Sequence, residues 1–307
     1  MTWHEPVHAE VTQVRPAAAQ RWAVIAATIT GVLTGAAIVG TRVVVDAIGP
    51  ATIGAVRYTI ALLLLLPIVL AIRGSLAVQP RDRFAVLALG VLQFGVQIVL
   101  INVGLQSVAS APAALLFSSF PLITLLVAAW LGHEALSRRK VAAVALTMIG
   151  VALALGTAAL EQTGGGIAGE LAVLAAAATG AVCSVLYRPY VQRYGAMPLA
   201  IWAMGAAAAA LAATAPLEQA LPRLQALSAS SWWALLFIGA SSALGFVTWL
   251  WALGRMAASR VTMFVAFTPL TALALGTLLL GEPIPWRLAP ALLLVLAGLW
   301  VARDRAA

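Results

Sequence analysis

Two glutamines, Gln93 and Gln97, lie four residues apart in the apolar run "FAVLALGVLQFGVQIVLINVG". On a helix that spacing puts both amides on one face, with Asn102 a turn beyond. Amides in hydrocarbon are costly unless they bond to protein or face a water-filled cavity. One interhelical hydrogen bond contributes about 1 kcal/mol and needs one amide. Two on one face exceed what helix association requires, and point to neutral recognition of a solute. The alternatives from catalysis are weaker. His133-Glu134 could open a zinc HExxH, but the fourth residue after His133 is Ser137. His4 and His8 flank Pro6 and have no third ligand near them, so they read as a solvated tail. The single cysteine, Cys183, allows no internal disulfide. No metal, cofactor or enzymatic activity is expected.

The elements that must position the amides are membrane helices. The 307 residues are 63% hydrophobic and 9% charged, with mean hydropathy +1.02. A soluble domain carries about 25% charged residues. A helix needs about 20 apolar residues to cross a bilayer. Ten stretches qualify, near 22–40, 51–72, 84–105, 112–131, 139–157, 168–188, 198–214, 231–252, 262–280 and 286–302. With these spans, fourteen of the eighteen Lys and Arg fall on the side of the N terminus. Arg42, Arg223 and Arg287 fall on the other side, and Arg57 lies inside the second span. That asymmetry predicts cytoplasmic termini and a multi-pass inner-membrane protein. The basic residues sit singly or in threes between apolar runs, so no nucleic-acid partner is expected; the lipid bilayer is one. Arg57 is expected to snorkel to the outer interface or pack on a neighbouring carbonyl; holding a substrate carboxylate is the lesser alternative.

The chain repeats itself. A shift of 148 residues places Pro121 on Pro269, Glu134 on Glu282, Arg139 on Arg287, Gly150 on Gly298 and Pro50 on Pro198. Five spans per unit is an odd number, so the second unit must enter the membrane from the opposite side, as in many secondary transporters. Expected boundaries are a cytoplasmic tail 1–21, a first five-helix repeat 22–157, a linker 158–167, a second repeat 168–303 and a tail 304–307. The paired glutamates then lie on opposite membrane faces as helix-end or loop-fixing groups. The same shift places Gln93 on Ser241 and Gln97 on Gly245, beside Ser242, Thr248 and Trp249. Two helices thus present polar faces near the midplane. Pro121 and Pro269 are expected to kink their helices at that depth, with Ser118, Ser119 and Thr268 satisfying freed backbone groups or meeting a ligand. Tyr187, Trp202, Trp249 and Phe267 add aromatic surface. Gly31 and Gly35 have the GxxxG spacing of close helix approach, although a Gly-Thr helix could also wall a cavity.

Ten spans in two five-helix halves, a proline-started fourth span closing on Gly-Glu (Gly281-Glu282), and a "GP" opening the second resemble the drug/metabolite transporter superfamily. Within it the chain is similar to the EamA-type exporters, and more distantly to the bacterial aromatic amino-acid exporters. In the first half the pair reads Gly132-His133-Glu134, one residue out of register. The resemblance implies an all-α membrane protein of ten transmembrane helices in two inverted-topology repeats. Spans one to four and six to nine would line a central cavity and export by alternating access. None of the ten carboxylates falls at mid-membrane, so the expected cavity is neutral and the exporter weakly coupled to protons or a facilitator. Such a cavity suits amino acids, aromatic and other neutral ones, or similar amphipathic metabolites. A broad drug/metabolite carrier or a nucleotide-sugar-type carrier is the alternative, the latter needing more buried cations than Arg57 alone. A receptor or structural protein is the remote one. The oligomeric state is not encoded in any of these features.

Overall fold

The computed structural model describes residues 17–71, 76–133, 135, 137–155, 167–283, 286 and 288–302. Residues 1–16 of the expected N-terminal tail, the C-terminal tail, most of the linker and Glu134 lie outside the described residues, while residues 17–21, expected in the tail, begin the first helix. The described chain is all-helical. Its long helices are α1 (Ala17–Val44), α2 (Pro50–Ala71), α3 (Pro80–Ser107), α4 (Ser110–Trp130) and α5 (Arg138–Leu155). They continue as α6 (Ala168–Tyr194), α7 (Ala196–Thr214), α8 (Ala229–Leu253), α9 (Ala258–Leu280) and α10 (Leu288–Ala302).

Among the described residues, eight of these are long and apolar enough to cross a membrane: α1 to α4 and α6 to α9. The stretches expected as the fifth and tenth spans differ from the rest. Helix α5 opens on Arg138, Arg139 and Lys140, which leaves a shorter apolar body. Helix α10, described over Leu288–Ala302, carries no charged residue. These two helices pack on each other.

The packing follows the repeat. Helix α2 packs on α7, as α5 does on α10. Helix α1 meets α8 and α9, while α6 meets α3 and α4; α2 meets α8, while α7 meets α3. Exchanging the two halves leaves this set of neighbours unchanged, as a two-fold relation requires.

Local sequence explains the helix limits. Pro50 and Pro80 open α2 and α3, where a missing N–H costs nothing. Ser228 caps α8 by accepting from the Ser231 N–H at 3.2 Å. Gly281 closes α9 at φ 65°, a backbone setting that favours glycine. Polar side chains tie the bundle at one end. Glu282 accepts from the Ser110 N–H at 3.1 Å and the Ser110 hydroxyl at 2.8 Å, fixing the start of α4. Glu218 does the same for α2, accepting from the N–H groups of Ala51 and Thr52 at 3.0 and 2.7 Å. Both are helix-fixing carboxylates placed where the macrodipole favours negative charge. At the opposite end Asp82 of α3 accepts from Arg193 and Tyr194 of α6. Both ends of the bundle are therefore tied by side chains that cross from one half to the other.

Candidate functional site

A cavity of about 120 Å³ lies between the halves. Helix α1 supplies Thr30, Thr34 and Thr41, at spacings that make one helical stripe. Helix α2 supplies Arg57 and Tyr58, and α3 supplies Gln93, Phe94, Gln97 and Leu105. Phe117 and Phe120 come from α4, Ser241, Ser242, Phe246 and Trp249 from α8, and Val265 from α9. Among the described residues, no lining side chain comes from α5, α6, α7 or α10.

The amide pair sits on a local irregularity. Val91–Val96 widens α3 into a π-turn, a feature common at functional sites. Gly90, just before it, packs so closely that a Cβ would lie 2.6 Å from the Ala203 Cα of α7. Behind the pair, Gly180 of α6 leaves room for Gln97 and Phe120. Gln93 Nε2 donates to Gln97 Oε1, and both residues are buried. Gln93 Oε1 is buried with no hydrogen-bond partner. Gln93 lines the cavity, and an unpartnered acceptor in a lining side chain is costly unless a ligand or a small rotation of the amide satisfies it.

The hydroxyls around it are mostly engaged with their own helices. Thr34 donates to Thr30 O at 2.8 Å, Thr41 to Ala37 O at 2.8 Å and Ser241 to Ile238 O at 2.9 Å. Thr30 also reaches α8, lying 2.8 Å from the Thr248 hydroxyl. They offer lone pairs to the cavity rather than free donors.

Towards the end that carries Asp82, the cavity has an aromatic floor. Phe94 meets Tyr58 edge-on at 4.9 Å and Phe246 at 4.1 Å between ring centroids. Phe246 stacks on Trp249 at 5.1 Å, and Tyr187 stands edge-on to both at 6.2 Å. Towards the other end the cavity runs up to Thr41 and Leu105.

Of the residues singled out in the sequence, the structure brings Gln93, Gln97, Ser241, Ser242 and Trp249 onto this cavity. Tyr187 lies behind the floor, buried, and its hydroxyl has no partner. Thr248 lies beside the wall, bonded to Thr30. The others are elsewhere. Asn102 is fully buried and donates to Pro50 O at 2.9 Å, joining α3 to the start of α2. Ser118 donates to Ala114 O at 3.0 Å, and Ser119 is buried with its hydroxyl unpartnered. Trp202 donates to Leu76 O at 2.8 Å and lies under Arg83. Phe267 is 38% exposed on the surface of α9.

The prolines mark helix breaks in both halves. Helix α4 breaks at Ser118–Ser119 and resumes at Phe120, with Pro121 in the new first turn. In α9 a 3-10 turn, Met263–Ala266, precedes Phe267 and Pro269. Each proline therefore sits at a start, where it is tolerated, rather than in a bent interior. Thr268 donates across to Gly31 O of α1 at 3.1 Å.

Two features stood in the sequence only as lesser alternatives. The threonine stripe of α1 was legible in its spacing but lay hidden beside the glycines. Arg57 does not snorkel. It is half-buried at the cavity wall, its Nε donating to Ser242 Oγ and its guanidinium 5.7 Å from the Tyr58 ring centroid. The cavity is thus not neutral, as expected, but carries one cation.

This architecture is that of a multi-pass membrane protein. The chain belongs to the EamA-like transporter family, which it matches twice, over residues 21–156 and 167–303. It is 26% identical over 286 residues to an uncharacterized transporter of Archaeoglobus fulgidus, covering 92% of this chain and 98% of that one. It is 30% identical over 275 residues, 86% of each chain, to a probable terminal-alkyne amino-acid exporter of Streptantibioticus cattleyicolor. A solved crystal structure at 23% identity has the same fold, with TM-score 0.70 over 93% of this chain and 96% of that one.

Proposed function

We propose that the protein is an inner-membrane exporter of amino acids, aromatic and other neutral ones foremost, working by alternating access. The observation that supports this reading is a cavity lined by the amide pair Gln93 and Gln97, with the Gln93 Oε1 left without a protein partner, beside the packed rings Phe94, Phe246 and Trp249. It suits a solute with an amino group at one end and a flat apolar body at the other. The relative named as an amino-acid exporter supports the same class.

In this reading ten helices cross the membrane, α5 and α10 being the peripheral pair. The halves 22–157 and 168–303 are inverted repeats, with both termini cytoplasmic. The Asp82 end is then cytoplasmic and the Glu282 end outer, and side chains tie the halves together at both ends of the cavity. The lining holds no carboxylate or histidine among the described residues. Export therefore follows the solute gradient without an obligatory proton.

Counterflow in proteoliposomes tests both points. Labelled phenylalanine, tryptophan or threonine should exchange into vesicles preloaded with the unlabelled amino acid. The rate should be the same with and without a pH gradient. Movement of none of the three would sink the amino-acid reading. A rate that follows the pH gradient would overturn the facilitator reading alone.

A further inference from the structure

We propose that Arg57 is the subsite for a carboxylate of the transported solute, so that the carrier selects carboxylate-bearing molecules over their amides and amines. The proposal rests on the amino-acid reading above and assigns the part of the solute that reading leaves open.

Arg57 is held in place by its neighbours with its terminal amino groups left free of protein partners among the described residues. Its Nε is anchored on Ser242 Oγ, and Tyr58 lies beside the guanidinium. Among the described residues its two terminal amino groups have no hydrogen-bond partner, and no carboxylate pairs with it. The described carboxylates are elsewhere. Asp46 pairs with Arg42 at 3.2 Å, Asp82 with Arg193, and Glu218 and Glu282 hold helix starts. Glu170 is buried at the start of α6, which lends no residue to the cavity. A cation in a membrane bundle without a counter-ion is costly, and such residues mark solute or ion pathways. The free fork of a guanidinium matches the two oxygens of a carboxylate.

The repeat sharpens the point. The shift of 148 residues puts Gly205 opposite Arg57, and a Cβ at Gly205 would meet nothing within 4 Å. The two-fold frame therefore needs no side chain at this position. Arg57 is an addition that makes one side of the cavity positive, as a solute with two unlike ends requires.

The test is competition against labelled phenylalanine counterflow by phenylalanine, 3-phenylpropionate, phenylalaninamide and phenethylamine. In the wild type the two carboxylates should compete, and the amide and amine should be at least about tenfold weaker. Arg57→Gln should erase that discrimination, and Arg57→Lys should restore part of it because it keeps the charge without the fork. Equal competition by the amide in the wild type would overturn the proposal. So would an Arg57→Gln carrier that keeps the wild-type preference. Should that variant fail to fold, the wild-type ranking still decides. If no amino acid moves in the wild type, the amino-acid reading fails separately. Thermal stabilisation of the purified wild-type protein by 3-phenylpropionate but not phenethylamine would then still support the carboxylate subsite. Its absence would remove it.

Discussion

Gly31→Val is expected to abolish transport and to lower the thermal unfolding midpoint of the purified protein. A Cβ at Gly31 would overlap the Phe264 carbonyl oxygen and lie 3.2 Å from the Phe267 Cβ. One turn on, a Cβ at Gly35 would lie 2.5 Å from the Thr268 oxygen. Helix α1 thus rests directly on the backbone of α9 where that helix is broken, and Thr268 bonds to Gly31 O across the contact. Backbone cannot retreat as a side-chain tip can, so the helices must separate. Overpacking of this kind costs about 1–3 kcal/mol or more. The displaced face of α1 also carries Thr30 and Thr34, so the cavity wall moves with it. Gly205→Ala is the control with the opposite sign. Space there is open, and alanine gains about 1 kcal/mol of helix propensity over glycine. Differential scanning fluorimetry in detergent and phenylalanine counterflow read both outcomes. A fully active, equally stable Gly31→Val protein would refute the close contact.

Gln93→Leu is expected to raise the KM for amino-acid counterflow by about 10- to 100-fold. The leucine fills similar space but removes the unpartnered Oε1 acceptor. A hydrogen bond to a charged amino group contributes about 1.5–3 kcal/mol, and 1.4 kcal/mol is a factor of ten. Stability should change less. Gln97 Oε1 loses the Gln93 donor, but a buried unpaired acceptor disappears as well. Ser118→Ala separates the site from its surroundings. Its hydroxyl donates to Ala114 O and does not line the cavity, so its KM should match the wild type. An unchanged KM in Gln93→Leu would mean that this amide does not touch the solute.

These two residues also show what the sequence could and could not convey. Helix spacing put Gln93 and Gln97 on one face, and the 148-residue shift pointed to Ser241 at the same depth. Both statements follow from periodicity alone. Asn102 obeyed the same period, but the start of α2 packs beside it and takes its amide as a fastening to Pro50 O. No pattern within α3 reveals which neighbour lies there. Pro121 and Pro269 announced an interruption, yet not its position. The break falls before each proline, because a fixed φ suits the first turn of a new helix. Trp202 was read as cavity aromatic surface, but the turn before α3 offered it the Leu76 carbonyl. Arg57 was the only formal charge set inside a span, and that was the available signal. Hydropathy made the interface the cheaper destination, whereas Ser242 and the cavity made the interior possible. Helix α5 opens on three cations, so its apolar body is shorter than that of the eight longer spans, which composition averaged over the stretch does not weigh.

The central claim is that solute binds in the cavity between the two halves. Substrate protection of a cysteine placed there tests it most directly. Cys183 is buried and is the only cysteine, so a Cys183→Ala background is clean. In that background Ser241→Cys puts one thiol on the cavity wall. Labelling of this thiol by N-ethylmaleimide should slow when phenylalanine is added at a concentration that saturates counterflow. Labelling at the same rate with and without phenylalanine, in a variant that still transports it, would contradict the account.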